Sequence, residues 1–141
     1  HGTRGSDFTP CCFPYTVNAF HTHPRGEEVI YVTQGEKLIV GFAEENGGRF
    51  ITNTIEKGHF AVFPRGLLHF QYNDSCEPVK FVAFLSDRDG GVQSYPAAMF
   101  GFDEDAVLQS AFGINQKNLG ILRKSFAERG PRASCLKACG L

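Results

Sequence analysis

The chain has 141 residues, 42% of them hydrophobic and 21% charged, which suits one folded domain and excludes a disordered or fibrous chain. Lys and Arg number 14 against 15 Asp and Glu, a formal net charge of -1, so no basic excess draws it to nucleic acid or an anionic membrane. No apolar run approaches the roughly 18 residues of a membrane-spanning helix.

Residues 1–17 lack a clean periodicity and read as irregular, with at most one short strand. His1-Gly2-Thr3-Arg4-Gly5 is polar, without an initiator Met or a secretory apolar region, so the chain reads as a processed product or a fragment. The 14 Phe, 16 Gly and 7 Pro of the whole chain point to many short strands separated by turns. A strand is expected over Glu28-Val29-Ile30-Tyr31-Val32-Thr33, stopped by Gln34-Gly35. Leu38, Val40 and Phe42 alternate with Lys37, Ile39 and Gly41, as in a half-buried strand. Asn46-Gly47-Gly48 is a hairpin turn. Further strands are expected over 50–55, 60–63, 68–72 and 79–85. Their Phe residues (Phe60, Phe63, Phe70, Phe81, Phe84) read as barrel core.

The pattern then changes. Asp103-Glu104-Asp105 opens a helix carrying Val107, Leu108, Ala111 and Phe112. A second helix starts at Asn115, has Leu119, Leu122 and Phe126 on one face, and ends at Gly130-Pro131. The expected organisation is an irregular segment over 1–17, a β-barrel over 18–101, a helical region over 102–127 and a tail over 128–141.

Five Cys is an odd number, so at least one has no partner within the chain. Cys11 and Cys12 are adjacent, Cys76 stands alone, and Cys135 and Cys139 lie in the tail. None forms the paired spacing of a zinc knuckle.

The residues able to carry chemistry are His21, His23, Glu28 and His69. On an extended strand His21 and His23 share a face. Pro24-Arg25-Gly26 lets the chain turn before Glu28, and Pro64-Arg65-Gly66 precedes His69. Three imidazoles and a carboxylate suit a divalent first-row metal with positions left for water or substrate. Taken singly, each has an ordinary reading: a chance His pair, a solvated strand Glu, a hydrogen-bonded core His. His1 and His59 have no partner at metal-binding spacing. Asn73-Asp74-Ser75 is a glycosylation sequon, and Asn73 also reads as a residue that shapes a turn.

Two longer segments join these residues. His21 to Gly35 reads H-T-H-P-R-G-E-E, six residues, then Gly; Gly58 to Asn73 reads G-H-F-A-V-F-P-R-G-L-L-H-F-Q-Y-N. They resemble the two sequence boxes of the cupins in the form used by germins and germin-like proteins, and the resemblance covers roughly residues 18–127. It implies an all-β fold, a cupin jelly-roll β-barrel with short C-terminal α-helices. It also implies a manganese ion held by His21, His23, Glu28 and His69, with Asn18 as a substrate-binding residue. Metal identity is not readable from the donors, since Zn, Cu and Ni bind such sites more tightly than Mn.

This sequence departs from the germin pattern at its front. Tyr15 stands where a Gly is usual, Ala19-Phe20 where Pro-Pro is usual, and Phe8 near the place of a second substrate-contacting Asn. The germin N-terminal disulfide has no clear match in Cys11 and Cys12. The resemblance implies a secreted, extracellular protein of the apoplast or cell wall. It also implies a homo-oligomer, a hexamer built from dimers, while the balanced charge argues for no nucleic-acid or membrane partner. An exposed face at Leu119, Leu122 and Phe126 is expected to serve that assembly. The activity expected first is superoxide dismutation giving hydrogen peroxide, ahead of oxalate oxidation. The alternative is a non-catalytic wall or storage protein with a structural metal. A metal-dependent isomerase or dioxygenase ranks below both.

Overall fold

The computed structural model describes residues 16–127. Eight strands come first: β1 (Thr16–Thr22), β2 (Glu28–Gln34), β3 (Leu38–Ala43), β4 (Phe50–Ile55), β5 (Phe60–Phe63), β6 (Leu68–Asn73), β7 (Lys80–Leu85) and β8 (Gln93–Ser94). Three helices follow: α1 (Tyr95–Phe100), α2 (Asp105–Phe112) and α3 (Gln116–Ala127). The strands form two antiparallel sheets, ordered β4-β3-β6-β1-β8 and β5-β2-β7. The expectation of a jelly-roll barrel with short C-terminal helices is met.

Period-two alternation decides what lies between the sheets. On β2, Glu28, Ile30 and Val32 are buried while Tyr31 and Thr33 are exposed. Ile30, Val32, Leu38, Val40, Phe63, Val79, Phe81 and Ala83 form the apolar core. The inward row of β6 is polar instead: His69, Gln71 and Asn73 are all buried. Buried polar groups need hydrogen-bond partners, and Asn73 shows how one is satisfied. Its Nδ2 donates to the Glu77 carbonyl (2.8 Å), and its Oδ1 accepts from the Ser75 amide (3.0 Å) and hydroxyl (2.7 Å). The sequon asparagine thus shapes the β6–β7 turn from inside the barrel.

Strand β1 carries a bulge. Asn18 pairs with Gln71 and His21 with His69, and the register shifts between them. Three steps along β1 therefore match two along β6, and Ala19-Phe20 takes up the extra residue.

Several expectations are corrected. Phe63 and Phe81 are core residues, but Phe60 (66% exposed) and Phe84 (49% exposed) point outward from the three-stranded sheet. Of the expected assembly face on α3, Leu119 is fully buried and Leu122 half-buried, while Ile121 is exposed. The side chain of Phe126 and the Gly130-Pro131 stop lie outside the described residues. Helix α1 and strand β8 are additional elements. Pro96 sits in the first turn of α1, where a missing amide costs nothing. Helix α2 starts with Glu104 at its cap, without a side-chain cap bond. It is tied to α3 by Asp105, which pairs with Arg123 and accepts from Gln116, both at 2.6 Å. None of the described helices is long and apolar enough to cross a membrane.

Candidate metal centre

The four candidate ligands come from three elements and the turn that follows one of them. His21 lies at the end of β1 and His23 just past it, Glu28 opens β2, and His69 follows the Pro64–Gly66 turn on β6. Gly66 adopts φ +77, which suits glycine, and its amide donates to the His23 carbonyl (3.0 Å). That bond ties the two histidine-bearing segments together. One donor atom from each of the four side chains lies within 4.8 Å of the others, and all four residues are buried. Glu27, by contrast, is exposed, its carboxylate bonded to the Ser86 hydroxyl.

The hydrogen bonds select one ring nitrogen on each imidazole. His21 Nδ1 lies 2.7 Å from the Ala19 carbonyl, His23 Nδ1 2.5 Å from the Gly91 carbonyl, and His69 Nδ1 2.8 Å from the Leu67 carbonyl. A carbonyl only accepts, so each Nδ1 carries a proton, which leaves Nε2 as the ring atom that can ligate. His69 Nε2 is 3.0 Å from Glu28 Oε2. His23 Nε2 is 3.7 Å from the same oxygen, and it is buried without a hydrogen-bond partner. An orphaned lone pair of that kind has a physical use if a cation sits before it. Burial, reinforced by His69, pushes His21 from 6.5 down to about 4, so its imidazole is neutral and able to ligate near pH 7. The donor set therefore fits a metal ion.

Phe63 stacks on His69, with ring centroids 4.6 Å apart at 16°, and gives the site an apolar wall. Asn18 joins the cluster through a residue that sequence reasoning missed. Its Nδ2 donates to Gln71 Oε1 (2.7 Å), and Gln71 Nε2 reaches Glu28 Oε2 at 3.4 Å. Gln71 carries no motif of its own. The available signal was parity, since it lies two residues beyond His69 on the same strand face. His59 is exposed and away from this cluster. His1, Phe8, Tyr15, Cys11, Cys12, Cys135 and Cys139 lie outside the described residues. Cys76 is disulfide-bonded.

Comparison with known proteins places the fold in a family. The cupin family profile matches residues 11–119, more than half of the chain, and the chain belongs to that family. Among curated relatives, it is similar to spherulin-1A of Physarum polycephalum, 37% identical over 126 residues (88% of this chain, 51% of the relative). It is similar to germin-like protein subfamily 3 member 2 of Arabidopsis thaliana, 33% identical over 114 residues (80% of this chain, 49% of the relative). The chain thus spans about half the length of the curated relatives it matches. A solved oxalate oxidase structure superposes with a TM-score of 0.75 at 28% identity, covering 84% of this chain and 61% of the other.

Proposed function

We propose that the chain is a secreted, manganese-binding germin-like cupin, an oxidoreductase converting superoxide to hydrogen peroxide and oxygen. The observation that carries this reading is the buried meeting of three Nε2 atoms and one carboxylate, each imidazole proton directed outward to a carbonyl. His21, His23, Glu28 and His69 would hold the ion. Bound manganese supplies a centre that cycles between +2 and +3, which dismutation requires. The chain's own part is to keep the His21 imidazole neutral and the carboxylate aimed, and to wall the site with Phe63.

Oxalate oxidation ranks second. It calls for polar groups that orient a carboxylate substrate, and the Asn18 amide is already engaged with Gln71. Superoxide needs no such pocket. Secretion is supported by the Cys76 disulfide, since disulfides persist in oxidising compartments. A homo-oligomer is supported by the outer face of β5-β2-β7, where Tyr31, Phe60, Val62 and Phe84 are exposed side by side. The non-catalytic alternative draws on the depth of the site: its four residues are all buried, and such an ion would stabilise the folded state by binding it alone.

The test is elemental analysis of protein purified without added metal, paired with superoxide and oxalate assays. Near-stoichiometric manganese with superoxide turnover is expected. Bound metal with neither turnover would sink the enzyme reading and leave the structural one.

A further inference from the structure

Two of the three imidazoles are steered by the chain immediately before them. His21 and His69 donate to carbonyls two residues back, at Ala19 and Leu67. Those acceptors come with the local chain path. His23 differs, because its acceptor is the Gly91 carbonyl, 68 residues further along. Its orientation depends on where the segment between β7 and β8 is placed.

That segment is held against the turn after β1. Ser86 and Glu27 exchange hydrogen bonds, Ser86 N to the Glu27 carbonyl and Glu27 N to Ser86 Oγ, both at 3.0 Å. The Arg25 amide donates to the Gly90 carbonyl (3.1 Å). The Arg25 guanidinium donates through Nε to the Asp89 carbonyl (2.7 Å) and pairs through Nη2 with Asp89 Oδ1 (3.0 Å). The ion pair is exposed and adds little by itself. The geometry matters more. Gly91 has φ +66, and a Cβ there would lie 2.7 Å from Arg25 Nη2, so the guanidinium fills the space beside the residue whose carbonyl meets His23.

We infer that Arg25 is a positioning residue of the metal centre. It fixes the 89–91 backbone so that the Gly91 carbonyl holds His23 with Nε2 facing the other ligands. This rests on the metal-binding reading above. Partners of metal-ligating histidines typically change affinity by about 10–100-fold when altered. Arg25 acts one contact further out, so the expected loss is about tenfold, at the low end of that range.

The test titrates the metal-free full chain with Co(II), whose visible absorption reports coordination geometry. Arg25→Ala is expected to bind about tenfold more weakly, with an altered spectrum and an unchanged melting temperature of the metal-free protein. Arg25→Lys keeps the charge but loses the planar fork, and is expected to recover only part of the affinity. Wild-type affinity and spectrum in Arg25→Ala overturn the inference, as does an affinity loss matched by a fall in metal-free melting temperature. Failure of the wild type itself to take up Co(II) overturns the metal reading on which it stands.

Discussion

His23 is the residue on which the site is most exposed to test. Its Nε2 is buried and unpaired, so truncation removes a ligand without breaking a hydrogen bond at that atom. His23→Ala is expected to abolish metal uptake, while His59→Ala, on the surface, leaves it intact. Metal analysis of the two variants checks this, and retained metal in the first would overturn the ligand assignment. His21 carries a pH signature. In the unfolded chain it takes a proton near 6.5, in the fold only near 4. Between those values the unfolded state binds more protons, so its stabilising contribution, present above about pH 6.5, is lost as pH falls toward 4. Urea midpoints of the metal-free protein across that range are expected to drop, and to drop less in His21→Gln. Equal slopes in the two proteins would count against burial of a neutral imidazole.

At the scale of elements, strands were legible and faces were not. Alternation in 38–42 and the turns at Gly35, Gly47 and Gly58 mark strand after strand. In F-A-V-F and K-F-V-A-F-L, however, both faces are apolar, and period two says which residues share a face without saying which face is core. For that reason the pattern alone does not tell outward Phe60 and Phe84 from core residues. The six residues of α1 are too few to show a helical stripe. The three His and the Glu that the fold brings together were legible through their punctuation, and Gln71 was not, because an amide in a strand looks like any polar residue. Helix α3 offers a direct check on packing. Leu119 is fully buried and Ile121 is 54% exposed. Leu119→Ala is expected to cost about 2–5 kcal/mol, and Ile121→Ala at most about 0.5 kcal/mol. Denaturant titration measures both, and equal costs would show that α3 does not dock as described.

For the whole molecule, the decisive surface is the outer side of the three-stranded sheet. Tyr31 stands opposite Phe60, and Val29 opposite both Val62 and Phe84, so the apolar residues form a continuous patch. A patch of this kind on an antiparallel sheet suits burial against a second copy of itself about a two-fold axis. Light scattering is expected to find wild type above monomer mass and Phe60→Glu/Phe84→Glu at monomer mass. A monomeric wild type at micromolar concentration would remove this face from the assembly. The balanced charge is consistent with such packing, since a chain at -1 has little net self-repulsion to overcome.

The extra residue in β1 has a meaning beyond shape. Asn18 and His21 are an odd number of positions apart, yet both meet inward residues of β6, Gln71 and His69. In an unbroken strand that spacing would place them on opposite faces. Removing one residue of Ala19-Phe20 would restore ordinary alternation and keep both facing inward. Either deletion would displace or remove the carbonyl that now accepts the His21 proton. Such a deletion is expected to leave the far-ultraviolet circular dichroism unchanged while metal uptake falls. Chain length at this point would then bear on the centre through the His21 acceptor, with both side chains still on the inner face of the barrel.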